Sequence, residues 1–182
     1  MSRSAVGGNG GLSAFTLLEL GIVVAIVAVL AVIITPVVST LRARAQRVQC
    51  MANLKNLHVA AGLYLQDNNQ WPQISLASED DSTDADFARK WLEAVSPYKL
   101  TAKTFICPTS QNLLGNPDYS QPDTMRVDYI GTAFDDKPTT PHQWPRQPWF
   151  VEVGDVHGHG NLIIFADGSI SDLKTVVGNA GK

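Results

Sequence analysis

The sequence predicts an α+β fold, in which one long N-terminal helix precedes a small head containing an antiparallel β-sheet. Two patterns carry this prediction. An apolar run near the N-terminus continues into an amphipathic stripe, and two strand-like segments near the C-terminus flank an Asp-Gly turn. The 182 residues suffice for one globular domain in addition to the long helix.

The average composition combines two different segments. The chain is 45% hydrophobic with a net charge of -3, and its mean hydropathy is -0.01, as in many soluble proteins. Between Phe15 and Val38, however, 19 of 24 residues are hydrophobic and only Glu19 is charged. A helix of this length covers ~36 Å, more than the ~30 Å hydrocarbon core of a bilayer. This predicts one membrane span and argues against a purely cytosolic enzyme, a disordered chain or a polytopic membrane protein.

Three interpretations of the apolar run compete: a cleaved secretory signal, a plain anchor and a specialised helix. The run is longer than the apolar core of a secretory signal. A plain anchor does not explain Glu19, because a carboxylate inside a span costs a few kcal/mol to insert. Arg3 precedes the span, whereas Arg42, Arg44 and Arg47 follow it. The positive-inside bias by itself therefore places the large domain in the cytoplasm.

The helical pattern continues beyond the span as a stripe with steps of 4, 3, 4 and 3, formed by Cys50, Leu54, Leu57, Ala61 and Tyr64. We therefore predict one helix from about Phe15 to Leu65, kinked or loosened at Pro36, which removes one backbone hydrogen bond. His58 on this helix is interpreted as a surface or packing residue. The helix should stop before Trp71-Pro72, since the residue before a proline disfavours helix.

The chain between residues 75 and 148 is predicted to be rich in loops. Within it, Phe87–Val95 should form a short helix, and Phe105–Pro108 a short strand or bend. The run from Pro138 to Trp149, which alternates prolines and tryptophans, predicts a stiff irregular connection. An acidic cluster is interpreted as a solvated loop because it lacks the pattern of an EF-hand: Glu79, Asp80, Asp81, Asp84 and Asp86.

The C-terminal segment predicts a β-hairpin. Asn161–Ala166 and Ser169–Leu173 are the expected strands, with Asp167-Gly168 as a two-residue turn. His157, His159 and Asp167 are an alternative set of metal ligands. In the structural interpretation, His157 instead hydrogen-bonds backbone near the hairpin. The chain has no nucleophile or metalloprotease motif, so we expect no enzymatic activity and no cofactor.

The two cysteines, Cys50 and Cys107, do not form a Cys-x-x-Cys motif, which disfavours a zinc knuckle. A disulfide between them is permitted outside the cytoplasm; two buried thiols are the other interpretation. The mildly acidic chain has no basic stripe, so no nucleic-acid partner is expected.

The apolar segment resembles the N-terminus of type IV pilins and type II secretion pseudopilins. Phe15-Thr16-Leu17 opens it, Glu19 is the fifth residue counted from Phe15, and Pro36 is the twenty-second. The resemblance implies that a prepilin peptidase cuts between Ala14 and Phe15 and that Phe15 is N-methylated. It also implies that Glu19 pairs with the terminal amine of a neighbouring subunit during assembly. The family usually has Gly where this chain has Ala14.

The rest of the chain adds to the resemblance. The helix with its Cys, the Phe-x-Cys-Pro step and the spacing from His157 to Asp167-Gly168 are similar to pilin-like proteins with a C-terminal His-x9-Asp-Gly motif. The implied organisation is a leader (residues 1–14), a membrane or filament-core helix (15–38), its amphipathic continuation (39–66) and a pilin-like head (67–182).

The resemblance implies a non-enzymatic pseudopilin, anchored once in the inner membrane with its head outside the cytoplasm and then assembled into a filament. Its implied partners are the prepilin peptidase, other pilin-like subunits and an inner-membrane assembly platform. Two alternatives stay open: a membrane-anchored periplasmic binding domain that does not polymerise, and a metal-dependent enzyme that uses His157, His159 and Asp167.

Overall fold

The computed structural model describes residues 16–74, 84–115, 126–158 and 160–180. Its helices and strands are α1 (Leu17–Asn68), α2 (Asp84–Val95), α3 (Pro108–Leu114), β1 (Tyr129–Gly131), β2 (Pro148–Glu152), β3 (Leu162–Phe165), β4 (Ile170–Asp172) and α4 (Leu173–Ala180). Short 3-10 turns lie at Ser96–Tyr98, Ala102–Phe105 and Thr140–His142. The chain divides into two compact units, one ending at Leu41 and the other beginning at Arg42.

The first unit contains the apolar part of α1. Helix α1 begins at Leu17 and continues through Pro36 without interruption. Every residue from Thr16 to Thr35 is exposed in the isolated chain. Within the described part of the chain, α1 is the one helix long and apolar enough to cross a membrane.

The second unit is the head, and the C-terminal part of α1 belongs to its core. Four members of the predicted stripe are fully buried, and Tyr64 is half-buried, which confirms the stripe: Cys50, Leu54, Leu57 and Ala61. The helix ends at Asn68, whose side-chain amide donates to the carbonyl of Tyr64 at 2.9 Å. Asn69 follows with a φ of 54°, a left-handed conformation that asparagine tolerates at a helix end.

A four-stranded antiparallel sheet forms the other layer of the head, in the order β1-β2-β3-β4. This confirms the predicted α+β class and antiparallel sheet. The first two strands were not predicted. Strand β1 has only three residues, and β2 begins at Pro148 inside the run expected to be irregular. Such short segments become strands through pairing, here Ile130 with Val151 and Val151 with Ile163.

The predicted C-terminal hairpin is present, but its turn differs. The connection between Phe165 and Ser169 has three residues rather than two, because the Phe165 N–H donates to the Ser169 carbonyl. Gly168 supplies the positive φ, 75°, that ends such a turn. Strand β4 stops at Asp172, and Leu173 opens α4, a helix that the sequence did not predict.

The short helix predicted at Phe87–Val95 is confirmed and begins three residues earlier, at Asp84. The expected strand or bend at Phe105–Pro108 is instead the end of a 3-10 turn followed by the start of α3. Ile106 and Cys107 are the two extended residues between them. Pro108 is the first residue of α3, where its missing N–H has no helical partner to lose.

Aromatic rings fill the space between these layers. The Trp71 ring lies against Trp91, Phe134 and Trp149 in edge-to-face pairs, with centroids 6.1, 5.1 and 4.9 Å apart. Its indole N–H donates to the carbonyl of Thr132 at 2.8 Å, so burial leaves no unpaired donor. The predicted aromatic-proline step after α1 therefore begins inside the core of the head.

Candidate functional site

The first candidate site is the exposed apolar surface of α1. Consecutive helix residues point about 100° apart. The exposed residues Ile22–Val24 and Ile26–Ala28 are all hydrophobic, so they cover the different sides of this part of the helix and leave it without a polar face. Large apolar patches of this kind are surfaces that another apolar phase or chain covers.

Glu19 lies near the start of this surface and is exposed in the isolated chain. Its backbone N–H donates to the Thr16 hydroxyl at 3.2 Å, a hydrogen bond that begins the helix. Ala14 and Phe15, the predicted cleavage residues, lie outside the described residues.

The second candidate site is buried in the head and includes both cysteines. Cys50 on α1 and Cys107 before α3 form a disulfide with Cα atoms 5.3 Å apart. Neither residue has any exposed surface. The bond thus ties the long helix to a segment 57 residues further along the chain.

Glu152 and His157 lie beside this disulfide. Glu152 is the last residue of β2, and His157 lies in the loop that follows. The His157 Nε2 atom is 3.2 Å from Glu152 Oε1 and 3.5 Å from Cys107 Sγ. Both side chains are almost completely buried. The sequence predicts a backbone hydrogen bond for His157 near the hairpin; in addition, the structure places this imidazole against a carboxylate and a sulfur.

Burial in this site changes the proton affinity of the carboxylate. Desolvation raises the pKa of Glu152 to about 7, opposed by the Leu162 N–H, which donates to Oε2 at 3.3 Å, and by the charge of Arg47. The charges of Asp128 and Asp155 add to the increase. Glu152 therefore binds a proton more readily than an exposed glutamate does.

Four potential ligand atoms lie within 4.8 Å of one another: the Sγ atoms of Cys50 and Cys107, one carboxylate oxygen of Glu152 and one ring nitrogen of His157. These residues come from four different segments of the head. The sequence pattern does not single out Glu152. The only available signal was one acidic residue inside the apolar run Trp149–Val153.

Neighbouring groups hold this cluster in place. Asp128 accepts a hydrogen bond from the Cys107 N–H at 2.8 Å, and its other oxygen pairs with Arg126 Nε at 3.2 Å. The Asn161 side chain donates to the carbonyl of Glu152 at 2.9 Å. The backbone on both sides of the site is thus fixed by buried or half-buried hydrogen bonds.

The other members of the predicted C-terminal motif lie elsewhere. Asp167 is exposed in the hairpin turn, where the Ser169 N–H and hydroxyl donate to Oδ1 at 2.8 and 2.6 Å and lower the pKa of Asp167. The Gly168 carbonyl accepts a hydrogen bond from Lys55 Nζ. His159 lies outside the described residues. Asp167 is therefore a turn residue and does not belong to the group of close ligand atoms around His157.

A pocket of about 170 Å³ borders His157. Arg44 and Arg47 from α1 line one side, and Thr109 and Val156 line the other. Arg47 also pairs with Asp172 at 2.6 Å, which fixes its position.

Comparison of the chain with protein-family models, curated proteins and solved structures finds no match.

Proposed function

We propose that this chain is a pseudopilin, a structural subunit of a type II secretion or type IV pilus-like filament, rather than an enzyme. The observation that carries the proposal is the apolar part of α1, which exposes hydrophobic side chains and includes one carboxylate, Glu19. Such an apolar surface must be shielded from water. Lipid covers it while the chain is in the membrane, and the same helices of neighbouring subunits cover it in a filament.

Glu19 gives this surface a means of setting register. In an apolar helix bundle an unpaired carboxylate is costly, and the amine of a neighbouring chain that begins at Phe15 would neutralise it. The pair would select one axial offset between subunits more than it would add net stability. Leader removal before Phe15 by a prepilin peptidase creates that amine. The head already lies outside the cytoplasm at this stage, and an assembly platform then extrudes the subunit into the filament.

The head contributes a compact unit that is independent of the assembly surface. Its core includes the buried stripe of α1, and the disulfide links that stripe to the segment before α3. A subunit that leaves the membrane and packs into a filament exchanges one set of neighbours for another. A head whose core is formed within one chain can stay folded during this exchange.

The test is expression of the full chain in a bacterium with a prepilin peptidase and an assembly platform. The mature protein should begin at Phe15, and Glu19→Gln should remove most of the chain from sheared filaments while leaving it in the membrane. Glu93→Gln, which changes an exposed carboxylate on α2, is the matched control and should assemble normally.

The same cells distinguish the alternative of an anchored, non-polymerising binding domain. A cysteine introduced at Val24 should form disulfide-linked dimers between neighbouring helices if the chain polymerises. A processed chain that shows neither filaments nor such dimers would support the anchored domain. An uncleaved Met1, or a cut after residue 40, would reject the pilin mechanism.

A further inference from the structure

The buried cluster in the head contains the disulfide, and its four side chains are also of the types that bind metal ions. Two cysteine sulfurs, one imidazole nitrogen and one carboxylate oxygen converge within 4.8 Å. Thiolate, imidazole and carboxylate are the three ligand types that zinc takes from proteins, usually four at a time in a tetrahedron. We propose that, when Cys50 and Cys107 are reduced, these two cysteines, His157 and Glu152 bind one Zn²⁺ ion.

The distances in the cluster fit this geometry. At the usual zinc bond lengths, the donor atoms of a tetrahedral site lie roughly 3.3–3.8 Å from one another. The His157 Nε2 atom is already 3.2 Å from Glu152 Oε1 and 3.5 Å from Cys107 Sγ. The two sulfurs must separate after the bond between them is broken, and the wider pairs in the cluster, which extend to 4.8 Å, must close slightly.

The surroundings also fit a structural metal site. Zinc ligands are normally oriented by further hydrogen bonds, and here the Leu162 N–H contacts the second oxygen of Glu152 while Asp128 holds the Cys107 N–H. One of the four proposed ligands, His157, lines the neighbouring pocket of about 170 Å³.

The charge of the occupied site is partly balanced by arginine. Two thiolates and one carboxylate with Zn²⁺ carry a net charge of -1. Arg47 lines the pocket beside His157. Its Nε atom is buried and has no hydrogen-bond partner among the described residues. Arg47 also pairs with Asp172 at 2.6 Å, so it offsets only part of the excess negative charge of a thiolate-rich site.

Conversion of the disulfide form into the zinc-bound form requires two electrons, and protons are taken up and then released. A phosphine reductant gives two electrons to the disulfide and becomes a phosphine oxide with oxygen from water, while the two sulfurs gain protons. Zinc binding then forms two Zn–S bonds and releases the two thiol protons. The link between α1 and the segment before α3 is kept in both states, first by a covalent bond and then by the metal.

The experiment uses the full chain in detergent, reduced by a phosphine without oxygen and titrated with Zn²⁺ or Co²⁺. The reduced chain should bind one ion, and Co²⁺ should give the thiolate charge-transfer band and the visible bands of a tetrahedral site. The oxidised chain should bind neither ion tightly. His157→Gln and Glu152→Gln should weaken binding by more than the roughly 10–100-fold that loss of a supporting hydrogen bond costs.

His142→Gln is the matched control, since His142 is exposed and lies outside the cluster; it should bind as the parent chain does. Near-ultraviolet circular dichroism of each variant in the oxidised state shows whether its head is folded before reduction. If reduction unfolds the head, zinc should refold it. A reduced chain that binds no Zn²⁺, or folded variants that bind as tightly as the parent, would overturn the proposal.

Discussion

The imidazole of His58 on α1 hydrogen-bonds the carbonyl oxygen of Ala166, with Nε2 3.1 Å from the oxygen. Because a carbonyl only accepts, Nε2 carries the proton. The same ring stacks on Trp149, with centroids 4.5 Å apart. One half-buried histidine thus joins the long helix, strand β2 and the C-terminal hairpin turn, and packing is its role in the fold.

This contact predicts that His58 contributes less to stability in weak acid than at neutral pH. Burial, together with the charges of Lys55 and His142, lowers the pKa of His58 below 6.5, although the Ala166 hydrogen bond and Asp167 oppose the shift. The unfolded chain therefore protonates His58 at a higher pH than the folded chain does, so the contribution of His58 to stability falls as pH decreases through 6.5. Glu152, whose pKa burial raises to about 7, contributes in the opposite direction over the same range. Urea unfolding of the oxidised chain across this range measures the effect. His58→Phe, which keeps the ring stack, should reduce the slope; an unchanged slope would assign it to other groups.

Gly131 is predicted to be intolerant of any side chain. A Cβ atom at this position would lie 2.2 Å from the Trp91 ring, which is itself fully buried. Gly131→Ala should therefore lower the free energy of unfolding by about 1–3 kcal/mol or more, as overpacking does. Gly62→Ala is the control, because its Cβ would meet Trp149 at an ordinary 3.8 Å. In a helix that change should stabilise the head by about 0.5–1 kcal/mol.

The disulfide should contribute strongly to the stability of the head. It closes a loop with a sequence separation of 57 residues, for which the chain-entropy estimate is about 4 kcal/mol. Cys50→Ala combined with Cys107→Ala should lower the free energy of unfolding by about 2–4 kcal/mol, measured by denaturant titration with a chelator present. A loss below 1 kcal/mol would show that the bond constrains little.

Asp128 is predicted to matter more for stability than its single charge suggests. It is buried, accepts the Cys107 N–H and pairs with Arg126. Asp128→Ala should cost about 3 kcal/mol, because it leaves a buried donor unpaired and a half-buried guanidinium without its carboxylate. Asp136→Ala, at an exposed position, should change stability by less than about 0.5 kcal/mol. Equal effects of the two substitutions would contradict this account of Asp128.

Local pattern explains which elements the sequence predicted. The stripe from Cys50 to Tyr64 repeats at the helical period, and the Asp-Gly turn separates two strand-like segments, so both features are encoded by neighbouring residues. Strands β1 and β2 are different. Three residues from Tyr129 to Gly131 carry too little periodicity to identify, and only pairing with β2 makes them a strand.

By itself, the sequence determined the long helix, its apolar exposed part with Glu19, the buried stripe and the C-terminal hairpin, because each depends on spacing along a continuous segment. Only the tertiary structure decided that Cys50, Cys107, Glu152 and His157 share one buried site. Their positions along the chain hold no common period, since a helix, a loop, a strand end and a turn must first pack together. Desolvation and proximity, which give these four side chains their chemistry, exist only after that packing.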